Sequence, residues 1–149
     1  MAATFHLRPY RTEDEEAAIA LWQRTWQQAY PSIDFAARVP WWRERWRNEL
    51  VPNAAIIVAE QADTLIGFVT IDLKGYLDQL VVSPTHWGSE LGGALLDEVK
   101  RLSPDRITLM VNTDNARAIR FYERNGFAQV GGDVNPTSGR PVLRMEWKP

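Results

Sequence analysis

The apolar and polar positions change period along the chain, and each change predicts an element. Thr4–Pro9 reads as a short opening strand. Trp22, Trp26 and Tyr30 then fall at i, i+4 and i+8, one face of a helix that runs to about Ala29 and is stopped by Pro31. Thr12 and Glu15 have capping-box spacing, and Asp14, Glu15 and Glu16 suit the positive end of that helix. Asp34 can cap a second helical stretch, with Pro40 in the first turn of its continuation. There Trp42, Trp46 and Leu50 repeat the spacing until Pro52-Asn53. The rhythm next becomes β-like. Ala55–Glu60 and Leu65–Asp72 form a hairpin through Gln61-Ala62-Asp63-Thr64, and Tyr76–Val82 is a third run. A glycine-bearing loop leads into a helix over Leu91–Leu102, with Leu91, Leu95, Leu96 and Val99 as its apolar stripe. Arg106–Val111 reads as a buried strand, and Asn112–Asn115 caps a helix over Ala116–Asn125 that Gly126 closes. Phe127–Val130 and Val142–Trp147 read as a final strand pair, joined by a mobile connection, Gly131–Pro141. The order is β-α-α-β-β-β-α-β-α-β-β without repeat or linker, which predicts one mixed α/β domain over residues 1–149.

Composition narrows the function classes. A length of 149 residues suits one domain. With 17 basic and 19 acidic residues, the net charge of −2 argues against a nucleic-acid binder. The absence of cysteine removes disulfides, thiolate metal sites and a cysteine nucleophile together. The two histidines, His6 and His86, are far apart, so no metal site is expected. No apolar run approaches the roughly 18 residues of a membrane span, and no signal-peptide region is visible, so the cytoplasm is the expected compartment and no membrane partner is expected. Seven tryptophans are unusual for so short a chain.

The stretch LVVSPTHWGSELGGALLDEVK carries the most chemistry. A strand, a small-residue turn and a helix N-terminus make an anion site, because free N–H groups converge where the helix dipole is positive. Gly88, Gly92 and Gly93 allow close approach of a ligand, although glycines before a helix are also plain turn chemistry. Downstream, VNTDNARAIRFYERNGF places Asn115, Ala118, Tyr122 and Gly126-Phe127 at the spacing of a known signature. The two segments and the element order together resemble the GNAT (GCN5-related N-acetyltransferase) family over nearly the whole chain. In that family's pyrophosphate loop an Arg or Gln leads and a Gly sits in the middle. Here Trp87 and Glu90 stand at those places, and the last glycine, Gly92, is kept.

The resemblance implies a mostly antiparallel mixed sheet flanked by helices and an acetyl-CoA co-substrate without a metal. It implies that the backbone of Leu80, Val81 and Val82 pairs with the pantetheine arm and that a backbone N–H there, that of Val82, polarises the thioester carbonyl. It places Gly88, Ser89, Glu90, Leu91, Gly92 and Gly93 around the pyrophosphate and Asn115 on the cofactor arm. Tyr122 becomes the acid that protonates the departing sulfur; read without the flanking Asn115 and Gly126-Phe127, it is an aromatic on a buried helix face with its hydroxyl tied to the backbone. Asp78, on the strand face shared with Tyr76 and Leu80, is the candidate general base, or else an aspartate paired with an arginine or facing water. Trp26, Tyr30 and Tyr76 are the candidate acceptor contacts, while helical stripes of tryptophan mostly pack against a sheet. Arg43, Arg45 and Arg47 read as a solvated face, and His86 as a solvated loop histidine. The leading function is N-acetylation of a small-molecule amine. Acetylation of a protein or peptide amine and an acyl-CoA-binding domain with little catalysis are the alternatives. A homodimer in which the final strands complete a partner's cleft is compatible with the sequence.

Overall fold

The computed structural model describes residues 4–149. Strand β1 (His6–Pro9) leads through a 3-10 turn, Thr12–Asp14, into α1 (Glu15–Ala29). The start differs from the capping-box expectation: Asp14 accepts the Arg11 N–H at 2.8 Å while its carboxylate is drawn into a buried pair with Arg8. Asp34 does cap, accepting the Ala37 N–H at 3.2 Å in the 3-10 turn before α2 (Val39–Arg45). A π-helical turn over Trp46–Leu50 and a last turn, α3 (Val51–Asn53), follow. Pro52 lacks an N–H to continue the ladder, so the end of this helix is irregular.

The strands form two antiparallel sheets. The first has the order β1-β2-β3-β4, with β2 (Ala54–Gln61), β3 (Thr64–Asp72) and β4 (Leu80–Val82). The second has the order β5-β7-β6, with β5 (Ile107–Asn112), β6 (Ala128–Val134) and β7 (Pro141–Trp147). The β2–β3 hairpin turns through Ala62 and Asp63, both at positive φ. β3 has buried residues on both faces, which explains its nearly unbroken apolar run. Leu65 and Phe68 meet Trp22, Trp42 and Trp46 on one side; Ile66, Val69 and Ile71 meet Leu91, Leu95 and Val99 on the other. The second group comes from α4 (Leu91–Leu102).

Two strand expectations needed correction. The third β run is not one strand over Tyr76–Val82. Asp72 N–H donates to the Tyr76 carbonyl and Thr70 N–H to the Gln79 carbonyl, so two steps on β3 face three on the segment that follows it. The extra residue is a bulge at Leu77–Asp78, which bends the chain. On its other side Leu77 donates to Thr108 O and Thr108 to Gly75 O, both at 2.9 Å, the parallel bridge that joins the two sheets. Beyond that bridge β4 pairs with β3, β5 pairs with β7, and the sheets part like a wedge. The Gly131–Pro141 connection is also shorter than expected, because Gly131–Val134 continues β6 against β7. Asn135 closes the remaining turn by accepting the Thr137 and Ser138 N–H groups.

Candidate active site

Two cavities open in the wedge. The smaller, of about 410 Å³, lies between the β4 edge, the loop after it and helix α5 (Ala116–Arg124). The larger, of about 570 Å³, lies between the end of α1, α2, the bulge and the β6–β7 turn. They share five lining residues: Trp26, Leu80, Asn115, Ala118 and Tyr122.

Register determines what β4 offers. Ser83 N donates to Ile66 O and Thr70 N to Gln79 O, so in the alternating antiparallel pattern the pairs Val82–Gly67 and Leu80–Val69 are the non-bonded ones. The N–H groups of Leu80 and Val82 therefore face the outer edge, toward the smaller cavity. Val81 is the bonded partner of Phe68 and its side chain is buried. The indole of Trp87 donates to Val82 O at 2.8 Å and ties the loop to that edge.

The loop itself turns at Gly88, whose φ of +79° favours glycine. Its amides lead to the first turn of α4, where N–H groups have no acceptor four residues back. A Cβ on Gly88 or Gly93 would meet nothing within 4 Å, so the cradle in front of them is open and fits an anionic group. At Gly92 the missing side chain makes room for Phe121, whose ring would lie 3.1 Å from a Cβ. Glu90 takes a helical backbone with φ −69°, which costs a non-glycine residue nothing, and it is solvent-exposed. Leu91 does not reach the cavity. Its side chain is fully buried as the first residue of the α4 stripe, so only its backbone N–H, which donates to Ser89 Oγ at 3.3 Å, is left for the expected place at the pyrophosphate.

Helix α5 delivers the other wall. Asn115 caps it, accepting the Ala118 N–H at 3.3 Å, and Gly126 at φ +91° ends it with Phe127 N bonded to Tyr122 O. Arg117, Arg120 and Arg124 recur at i, i+3 and i+7 and all line the smaller cavity. The Arg117 guanidinium lies 3.8 Å over the Trp87 ring. None of the three makes an ion pair among the described residues, and the sequence reading missed them although their helical spacing was the signal. Tyr122 is buried between Phe121 and Phe127, and burial pushes its phenol well above the usual tyrosine range. The Arg117 charge works against that rise and Tyr76 adds to it, with no hydrogen bond contributing.

On the larger side, Trp26 stacks on Tyr30 at 5.8 Å, and both line the cleft with Tyr76. Tyr30 donates to Asp114 at 2.8 Å and accepts from Asn112 at 3.1 Å. Burial, with Asp78 adding to it, pushes Tyr76 up to about 12. Trp22, Trp42 and Trp46 are core, whereas Trp41 is 44% exposed at the cleft. Asp78 sits in the bulge rather than in a strand, with both carboxylate oxygens bound by Arg45. Arg45 is thus not part of a solvated face. It lies three residues after Trp42, on the same side of α2, and sits 5.5 Å over that ring. Arg43 and Arg47 instead clamp Glu15 of α1. His86 is held by Thr85 and Gln61 at 3.0 and 3.2 Å.

The model of the acetyltransferase (GNAT) family matches residues 15–127. The chain belongs to the GNAT family. It is an N-acetyltransferase, the activity for which its YjaB relatives are named. The peptidyl-lysine N-acetyltransferase YjaB of Salmonella typhimurium is 28% identical over 137 residues, 91% of this chain and 92% of that protein. The mycothiol acetyltransferase of Propionibacterium freudenreichii is 32% identical over 116 residues, 70% of this chain and 37% of its own length. Among solved structures, the PaiA N-acetyltransferase of Thermoplasma acidophilum in complex with coenzyme A superposes with a TM-score of 0.80 at 24% identity, over 99% of this chain and 100% of that one. The GNAT fold expected from the sequence is therefore the fold observed.

Proposed function

We propose that this acetyltransferase moves the acetyl group of acetyl-CoA directly to a primary amine of a small molecule, with both substrates bound at once. The observation that carries this reading is the meeting of the two cavities at Tyr122. When bound, acetyl-CoA supplies an activated thioester acyl group and a thiolate leaving group. The outward N–H groups of Leu80 and Val82 offer its arm a strand edge to pair with, and the Val82 amide is the donor for negative charge developing on the carbonyl oxygen. Gly88, Ser89 and the first-turn amides at Gly92 and Gly93 hold the pyrophosphate, while the guanidinium face of α5 outweighs Glu90 in charge. Asn115 keeps α5 in register beside the arm.

Tyr122 donates a proton to the departing sulfur. The phenol is protonated at neutral pH, the state an acid needs, and burial moves its pKa further from that range. Asp78 braces Arg45 in the wall of the acceptor cleft, and the ammonium proton leaves to water through the open cleft. Trp26, Tyr30 and Tyr76 enclose the body of the acceptor.

A second reading, acetylation of a lysine side chain in a protein or peptide, is favoured by the name of YjaB, which resembles this chain over nearly its whole length. Calorimetry with acetyl-CoA, CoA and desulfo-CoA, followed by CoA release with small amines and with lysine peptides, tests both. Micromolar binding and release with small amines supports the proposal. Release with peptides alone supports the second reading, and binding without release from any amine overturns both.

A further inference from the structure

The acceptor cleft has a charge pattern of its own. Its ionisable charged lining residues are Arg38, Arg45, Arg140 and Asp78. Asp78 is held by Arg45, which also binds Glu49 at 2.9 Å. Arg140 lies 4.7 Å over the Tyr30 ring and binds Asp114 at the rim. Every carboxylate at the cleft is thus already bound to a guanidinium. An acceptor with a second ammonium finds no unoccupied carboxylate here, whereas one with a carboxylate finds a guanidinium that is not yet paired. Arg38 differs from the other two. It lies 5.2 Å over the Phe35 ring and has no carboxylate partner among the described residues.

We propose that the acceptor is a small primary amine that also carries a carboxylate, with an apolar or aromatic body between or beside the two groups, and that Arg38 receives the carboxylate. The proposal rests on the acetyltransferase reading of the same cleft and narrows its acceptor. The aromatic wall of Trp26, Tyr30 and Trp41 takes the body, and the face of the cleft nearest Tyr122 and Leu80 takes the amine. A guanidinium suits this task because its planar fork matches a carboxylate in two parallel hydrogen bonds. Arg38 is a specificity residue in this scheme, apart from the transfer step.

The test uses matched amines that differ only in the carboxylate: tryptophan against tryptamine, phenylalanine against phenethylamine, 6-aminohexanoate against pentylamine. Spermidine serves as the polycation. Initial rates of CoA release are measured for the wild type and for Arg38→Gln and Arg38→Glu. The carboxylated member of at least one pair is expected to have a kcat/KM at least tenfold higher, mostly through KM, and spermidine to be the poorest substrate. The preference falls to near unity in Arg38→Gln and reverses in Arg38→Glu. Calorimetry of the same pairs on the CoA-saturated protein gives the second readout, with the same order of affinity. A preference for spermidine or for the decarboxylated amines overturns the proposal, as does a preference that Arg38→Gln leaves intact. Release from none of these amines, with acetyl-CoA bound and lysine peptides active, overturns the small-acceptor reading itself.

Discussion

At the scale of single residues, the proposed mechanism separates groups that do chemistry from groups that hold others in place. Tyr122 has neighbours that bury its ring and, among the described residues, none that hydrogen-bonds its hydroxyl. Tyr122→Phe is therefore expected to keep the melting temperature and the CoA affinity while kcat falls by about 100-fold or more, the usual contribution of a positioned acid. Stopped-flow and calorimetry on one preparation would separate the two effects. Asp78 is the opposite case, with both oxygens already occupied by Arg45. Asp78→Asn should lower thermal stability and leave the acidic limb of the kcat/KM profile in place. Loss of that limb in the variant would make Asp78 the base that the sequence first suggested.

Elements show how the glycines of one loop divide their work. Gly92 gives space to Phe121 and so sets how closely α5 approaches α4, whereas Gly93 faces open space. Gly92→Ala is expected to cost about 1 kcal/mol through overpacking. Gly93→Ala should gain up to about 1 kcal/mol in helix propensity yet weaken CoA binding, because its methyl group enters the cradle. Chemical denaturation and calorimetry on the pair would show stability and affinity moving in opposite directions for Gly93→Ala. At this scale most of the sequence was legible. The stripes Trp42-Trp46-Leu50 and Leu91-Leu95-Val99, the Asn115 cap and the Gly126 end all follow from period and capping chemistry. The bulge at Leu77–Asp78 was not, since a one-residue offset between two pairings leaves no mark on an alternating run. Arg45 and the α5 arginines escaped for another reason. A charged residue on a helix reads as solvent-facing unless a cavity is known to lie opposite, and that cavity exists only once the two sheets part.

For the whole molecule, the fold ties its first turn to its sheet by ions as well as by packing. Arg8 binds Asp14 through two hydrogen bonds at 2.8 Å, both side chains 9% exposed, and reaches Glu60 on β2. This pairing holds the Asp14 carboxyl below its ordinary value. Its stabilisation is complete above about pH 4, where the unfolded carboxyl is ionised, and is lost as pH falls through the lower folded value. Asp14→Asn should cost about 3 kcal/mol at neutral pH and flatten the acid side of the stability curve, as read by melting temperature against pH. The short β4 has a second consequence. A sheet that ends in an unpaired strand invites a neighbour's strand to add to it, the usual route to self-association. Here the inviting edge is three residues long, bent by the bulge before it and blunted by the Trp87 indole on the Val82 carbonyl. On the proposed reading, an edge this short suits the arm of a substrate better than the strand of a neighbouring chain. Deuterium exchange would display the arrangement directly: the Leu80 and Val82 amides exchange fast in the free protein, slow when CoA is added, and stay fast at any protein concentration without it.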